Sequence, residues 1–180
     1  MTTYYHVSRL SLNAGKIVQP GGLGIWLRES CSTGPRGDEG NLAKLSRELI
    51  FESFRMQCFA AKPSRLDANF LFEDLQVAQK YGEYLIPDGI IYEVFLVDDA
   101  AKIHRGDFGL FLPHDLQYQC SFVNFNEQLA VKYWGRPGTQ GDIEYVEVLT
   151  ESTVCIVRQV QRVNCPAPRV PSNTGTAVHS

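Results

Sequence analysis

Four residues combine types and surroundings suited to chemistry on a planar group: His6, Phe70, Tyr81 and Glu147. Phe70 and Tyr81 stand eleven positions apart, the first before a helical pattern and the second within it. If a tight turn joins strand to helix there, the two rings can face one flat group from opposite sides. Glu147 lies between Val146 and Val148, with Ile143, Tyr145 and Leu149 close by. A carboxylate in that setting is partly desolvated, at a cost that a cleft using its charge would justify. His6, in an N-terminal extended run, adds an imidazole that titrates near neutral pH. Singly, each has an ordinary use, since aromatics at helical spacing build cores and most strand glutamates face water. Together they mark one candidate site.

The elements that must position them follow from periodicity and turn chemistry. Residues 4–18 read as two short strands around a turn at Asn13-Ala14-Gly15, and residues 20–40, rich in Gly, Pro and Ser, read as a surface loop. A helix is expected over residues 41–59, with Leu42, Leu45, Leu49 and Phe54 along its apolar stripe. Asn69-Phe70-Leu71-Phe72 is a short buried strand, followed by a helix over 73–84 whose first turn carries Glu73 and Asp74. On that helix Val77, Tyr81, Tyr84 and Leu85 recur at helical spacing. Residues 90–97 form the clearest strand. Residues 98–126 read as irregular, and a loop holding Gly135, Pro137, Gly138 and Gly141 leads to a strand over 143–149. A turn at Glu151-Ser152 offers it a hairpin partner over 154–163. Strands at both ends with helices between them predict an α+β fold rather than a doubly wound one.

A chain of 180 residues suits one domain, here residues 1–164 followed by a disordered tail over 165–180. With 44% hydrophobic and 21% charged residues, the body is expected to fold. A net charge of -3 supplies no broad basic field for duplex phosphates. No charged start precedes an apolar run and no stretch suits a bilayer, so a cytoplasmic protein without a membrane partner is expected. The five cysteines (Cys31, Cys58, Cys120, Cys155, Cys165) are scattered without a C-x-x-C pair, which argues against a disulfide framework or a metal site. Gly21-Gly22-Leu23-Gly24 lacks the strand-to-helix context of a dinucleotide loop. Arg105-Gly106-Asp107 spells an adhesion tripeptide by chance.

The local words around the four residues resemble the ADP-ribosyltransferase superfamily. Tyr5-His6-Val7-Ser8, followed by Asn13-Ala14-Gly15 and Pro20-Gly21, is similar to the first strand of the small bacterial transferases that modify rifamycins. Asn69 to Tyr81 is similar to the second motif, where an aromatic opens a helix and a tyrosine eleven places on flanks the nicotinamide. Glu147-Val148-Leu149 is similar to the third motif, a strand opened by the catalytic glutamate. Glu144-Tyr145-Val146 also resembles the polymerase form of that motif. Strand alternation lets only one of the two acids enter a cleft, and Glu147 is preferred. Bacterial domains of unknown function thought to share this fold are similar as well. Three residues depart from the pattern: Val7 for glycine, Phe70 for tyrosine, and Tyr145 where toxins carry an acceptor-selecting Glu or Gln.

The resemblance implies a split β-sheet sandwich flanked by helices, with NAD as co-substrate. It also implies roles. Glu147 would be catalytic, His6 would fix a ribose hydroxyl, the Val7 backbone would hold the carboxamide, and Phe70 and Tyr81 would stack on the nicotinamide. Arg9 or Arg65 would meet the pyrophosphate. The expected reaction is mono-ADP-ribosyl transfer to a protein, nucleic acid or small molecule, with NAD hydrolysis by a toxin or NAD binding without turnover as alternatives. A toxin would call for a neutralising antitoxin. Glu147→Ala is expected to abolish turnover and leave the fold intact.

Overall fold

The computed structural model describes residues 2–32, 39–112, 121–135 and 144–164. The expected tail over 165–180, most of the loop from Gly135 to Gly141 and the start of the strand at Ile143 lie outside them.

Among the described residues, seven strands and four helices follow in the order β1 (Tyr4–Ser8), β2 (Ile17–Val18), α1 (Gly22–Ser32), α2 (Glu39–Cys58), β3 (Asn69–Leu71), α3 (Leu75–Leu85), β4 (Ile90–Leu96), β5 (Ile103–Asp107), α4 (Phe122–Gly135), β6 (Val146–Thr150) and β7 (Val154–Arg162). A 3-10 turn, Phe108–Phe111, follows β5. The strands form two antiparallel sheets, ordered β1-β4-β7-β2 and β3-β6-β5. One bridge between Tyr5 and Phe72 joins them at a corner, through reciprocal backbone bonds of 2.8 and 2.9 Å. The architecture is α+β.

Alternation along the strands sorts side chains into three clusters. Between the sheets, Tyr4, Tyr92, Val94, Val154 and Ile156 meet Leu71 and Val148. On the outer face of the three-stranded sheet, Leu149 and Phe70 pack with Phe51 of α2 and with Leu129, Ala130, Tyr133 and Trp134 of α4. The third cluster joins Val7, Ile91 and Val163 to Ala78 of α3 and to Phe72 and Phe108. Asp74 caps α3, its side chain accepting from the amides of Gln76 and Val77.

Five sequence expectations change. Part of the supposed loop over 20–40 is helix α1, in which Leu27 is buried. Gly24 does not break it, because a side chain there would strike the Leu66 carbonyl; the glycine lets the helix lie against that backbone. The segment 98–126 is not irregular throughout, since it holds β5 and the start of α4. β6 and β7 are no hairpin; the turn at Glu151-Ser152 carries the chain from one sheet to the other. On α2, Leu42 and Leu49 are 55% and 52% exposed, while the buried positions are Glu48 and Phe51. The helix is rotated because its inner face grips the segment that follows. Ser64 donates to Glu52, Arg65 donates to Glu48, and Arg55 donates to the Lys62 carbonyl. On α3, likewise, Ala78 and Gly82 are buried and Tyr84 is exposed, because the Gly82 backbone closes against Val163.

Candidate active site

Glu147 is the second residue of β6, the central strand of its sheet, with neighbours on both sides: β3 pairs through Leu71 and Val148, and β5 pairs Gly106 with Glu147 itself. Its side chain leaves the strand on the same face as Leu149, toward α2 and α4. It has no exposed surface. Oε1 accepts from the Tyr133 hydroxyl at 2.7 Å and from the Arg65 guanidinium. Oε2 is buried and has no hydrogen-bond partner among the described residues.

Arg65 is the hub of this centre. Nη1 serves Glu147 and the Tyr133 hydroxyl, and Nε donates to Glu48 at 2.8 Å. Its guanidinium carbon lies 4.3 Å from the centre of the Phe111 ring and 5.0 Å from that of Phe70. Burial opposes the charge on Arg65, yet the Glu147 and Glu48 carboxylates outweigh it and hold the guanidinium protonated well beyond its usual range. Burial also opposes ionisation of Glu48, and the charges of Arg65 and Arg47 reverse that, lowering its pKa. Tyr133 reaches the acid because its ring passes over Gly106, where any side chain would collide with it. The glycine of the supposed adhesion tripeptide is thus a packing requirement.

His6 is tied to β3 rather than to the acid. Its Nδ1 donates to the Phe70 carbonyl at 3.1 Å, which leaves Nε2 of the neutral ring as an acceptor. Burial lowers the His6 pKa, and the bond to Phe70 opposes this in part. The two rings separate: Phe70 lies over Arg65 in the helix-facing cluster, whereas Tyr81 packs 4.7 Å from Phe72 and 5.4 Å from Phe108, centre to centre. They do not sandwich a common gap. Burial raises the Tyr81 pKa, and the charge of Glu147 raises it further. Val7 is buried and turned toward Phe72 and Ala78. Glu144 is exposed before β6, which leaves Glu147 as the enclosed acid of the two. Arg9 is exposed beside Trp26, and Arg65 is committed to carboxylates.

A buried acid, its cationic partner and a histidine-bearing strand are thus assembled around β3 and β6. The chain belongs to a family described as protein of unknown function (DUF2441). The family model matches residues 33–162, which include Glu48, Arg65, Phe70, Tyr81, Tyr133 and Glu147 but not His6. No curated protein matches the chain. Among the described residues no helix is long and apolar enough to cross a membrane, and no group of three or more His, Cys, Asp or Glu side chains could hold a metal ion.

Sequence reasoning missed Glu48, Arg65 as a counter-ion, Tyr133 and Gly106. Tyr133 had a readable signal, for Phe122, Phe125, Leu129, Tyr133 recur at helical spacing. Arg65 had none, being 82 positions from Glu147 and in no periodic segment.

Proposed function

We propose that the chain is an NAD-dependent mono-ADP-ribosyltransferase acting on an acceptor still to be identified. The observation that carries this reading is the state of Glu147: enclosed, oriented through Oε1 by Arg65 and Tyr133, and lacking a partner at Oε2 among the described residues. A buried acceptor atom without a donor costs free energy, and a ribose hydroxyl is a donor that would satisfy it. A carboxylate so fixed is suited to an oxocarbenium-like sugar, which forms when the nicotinamide leaves with the electron pair of the glycosidic bond. The acceptor's nucleophilic atom then bonds to the ribose carbon and releases its proton to water. A second ribose hydroxyl would have to reach the His6 Nε2, left as an acceptor once Nδ1 is held by Phe70, on the inter-sheet face of β1 that Tyr4 shares and Glu147 does not. Tyr81, on the helix that follows β3, would contribute a ring face to the nicotinamide and the Val7 backbone its carboxamide contact. Because Glu147 is enclosed, entry of the sugar requires the side chains above it to move.

A second reading, NAD binding without turnover, draws on Arg65, whose charge is already spent on the acid that would stabilise a cation. Labelled NAD incubated with the protein and a cell lysate separates the possibilities. Label on a macromolecule or small acceptor supports transfer, free ADP-ribose supports hydrolysis, and intact NAD with a thermal shift supports a binding module. Glu147→Gln should lower nicotinamide release by at least about a hundredfold. Undiminished release by that variant would reject the mechanism.

A further inference from the structure

A second feature lies beside the buried centre and is used by none of the steps above. It is a cleft of about 300 Å3 between α2, the 3-10 turn and α4. Leu110, Phe111, Phe125 and Leu129 line it, and Lys44 and Arg47 of α2 stand on its wall. The volume is at the lower end of the range for small-molecule sites, and the pattern of apolar walls with a few polar groups is theirs too.

We propose that this cleft binds a small aromatic monocarboxylate, its ring against Phe111 and Phe125 and its acid at Arg47 and Lys44. The Arg47 guanidinium carbon already lies 4.8 Å from the centre of the Phe111 ring, so an aromatic ligand enters a wall built of a ring and a planar cation. Arg47 gives one Nη2 bond of 3.2 Å to Glu48, and its Nε is buried with no hydrogen-bond partner among the described residues. That donor calls for an acceptor, and a carboxylate supplies two oxygens to a guanidinium.

Charge counting selects a single negative charge. In the centre behind the wall, Arg47 and Arg65 face Glu48 and Glu147, so the four cancel. Lys44, one turn from Arg47 on the same helix face, is exposed; its ammonium lies 5.6 Å from the centre of the Trp26 ring and makes no ion pair among the described residues. One uncompensated cation at an apolar cleft fits a monoanion better than a phosphate dianion.

Titration calorimetry with 2-naphthoate, 2-naphthylmethanol and 2-naphthyl phosphate tests this without reference to NAD turnover. Naphthoate should bind with Kd below about 1 mM and the uncharged alcohol at least about tenfold more weakly. Lys44→Gln should weaken naphthoate about threefold to tenfold and leave the alcohol unchanged. Ala43→Trp, a substitution at an exposed position on the cleft wall, should abolish binding of both. Equal affinity for acid and alcohol, tighter binding of the phosphate, no binding of naphthoate at about 1 mM, or binding that survives Ala43→Trp would each overturn the assignment.

Discussion

Val148 and Glu147 are consecutive residues of β6, yet they enter opposite chemistries. Val148 points between the two sheets, where it meets Tyr92, Val94 and Ile156 in a cluster without charge. Glu147 points toward α2 and α4, where Arg65, Glu48 and Tyr133 enclose it. Both side chains have no exposed surface. The dry side gains from every apolar atom removed from water, roughly 25 cal/mol per Å2. The charged side must first overcome desolvation of three buried ionic groups, Arg65, Glu48 and Glu147, and well-packed apolar residues would commonly do as well or better. The inner face of the strand is therefore explained by folding alone, whereas the outer face calls for a use beyond it.

The largest effect should come from removing the cation. Arg65→Ala strands Glu147 without its counter-ion, leaves Glu48 with Arg47 alone, and should cost about 3–5 kcal/mol in denaturant unfolding. The same pairing qualifies the Glu147→Ala experiment expected from sequence, since that variant leaves Arg65 short of a partner and should lose stability as well as the proposed turnover. The triple variant Glu48→Met, Arg65→Met, Glu147→Met sharpens the contrast. Its stability should return to within about 2 kcal/mol of the parent while nicotinamide release stays absent. A triple variant as unstable as Arg65→Ala would mean that the ions hold the fold together, and the contrast between the faces would fail. On the dry face, Val148→Ala should cost about 1–3 kcal/mol by transfer and cavity terms, and should leave catalysis unchanged. A larger loss of turnover than of stability there would erase the distinction between the faces.

How far this was legible in the sequence depends on whether a signal was local. β4 could be read because its β-branched and aromatic run is bounded by Gly89 and Asp98, and α3 because Asp74 caps a periodic stretch. The hairpin of β6 and β7 was misread because two adjacent apolar runs look alike whether they pair or part, and only the sheets they join decides. α2 was rotated in the reading because an amphipathic pattern assumes an apolar partner, and beside α4 its inner face also holds the polar segment around Ser64 and Arg65. Desolvation of Glu147 was predictable from its valine neighbours, but what surrounds it was not. Arg65, Tyr133 and Gly106 come from three separate segments, and nothing within any one of them announces the others.

The smallest effect concerns His104, whose Nε2 donates to the Tyr133 carbonyl at 3.2 Å behind the same tyrosine that holds Glu147. Burial, aided by the charges of Lys62 and Arg65, pushes its pKa down to about 3, although the bond to Tyr133 opposes this. Unfolded, the ring titrates near about 6.5. Between those values the unfolded chain binds a proton that the folded one refuses, so stability falls as the pH is lowered through the window. The contribution approaches about 1.4 kcal/mol per pH unit below the unfolded pKa. His104→Phe keeps a ring against Trp134 and removes the titration, so its stability between about pH 5 and 6.5 should decline less steeply than the parent's, by up to one proton. His6, also depressed by burial, titrates in both proteins and cancels in the difference. Identical slopes for parent and variant would mean that His104 takes up its proton in the folded state. The helix-facing side of β6 would then be open to water, and its contrast with the dry side would be one of composition rather than of solvation.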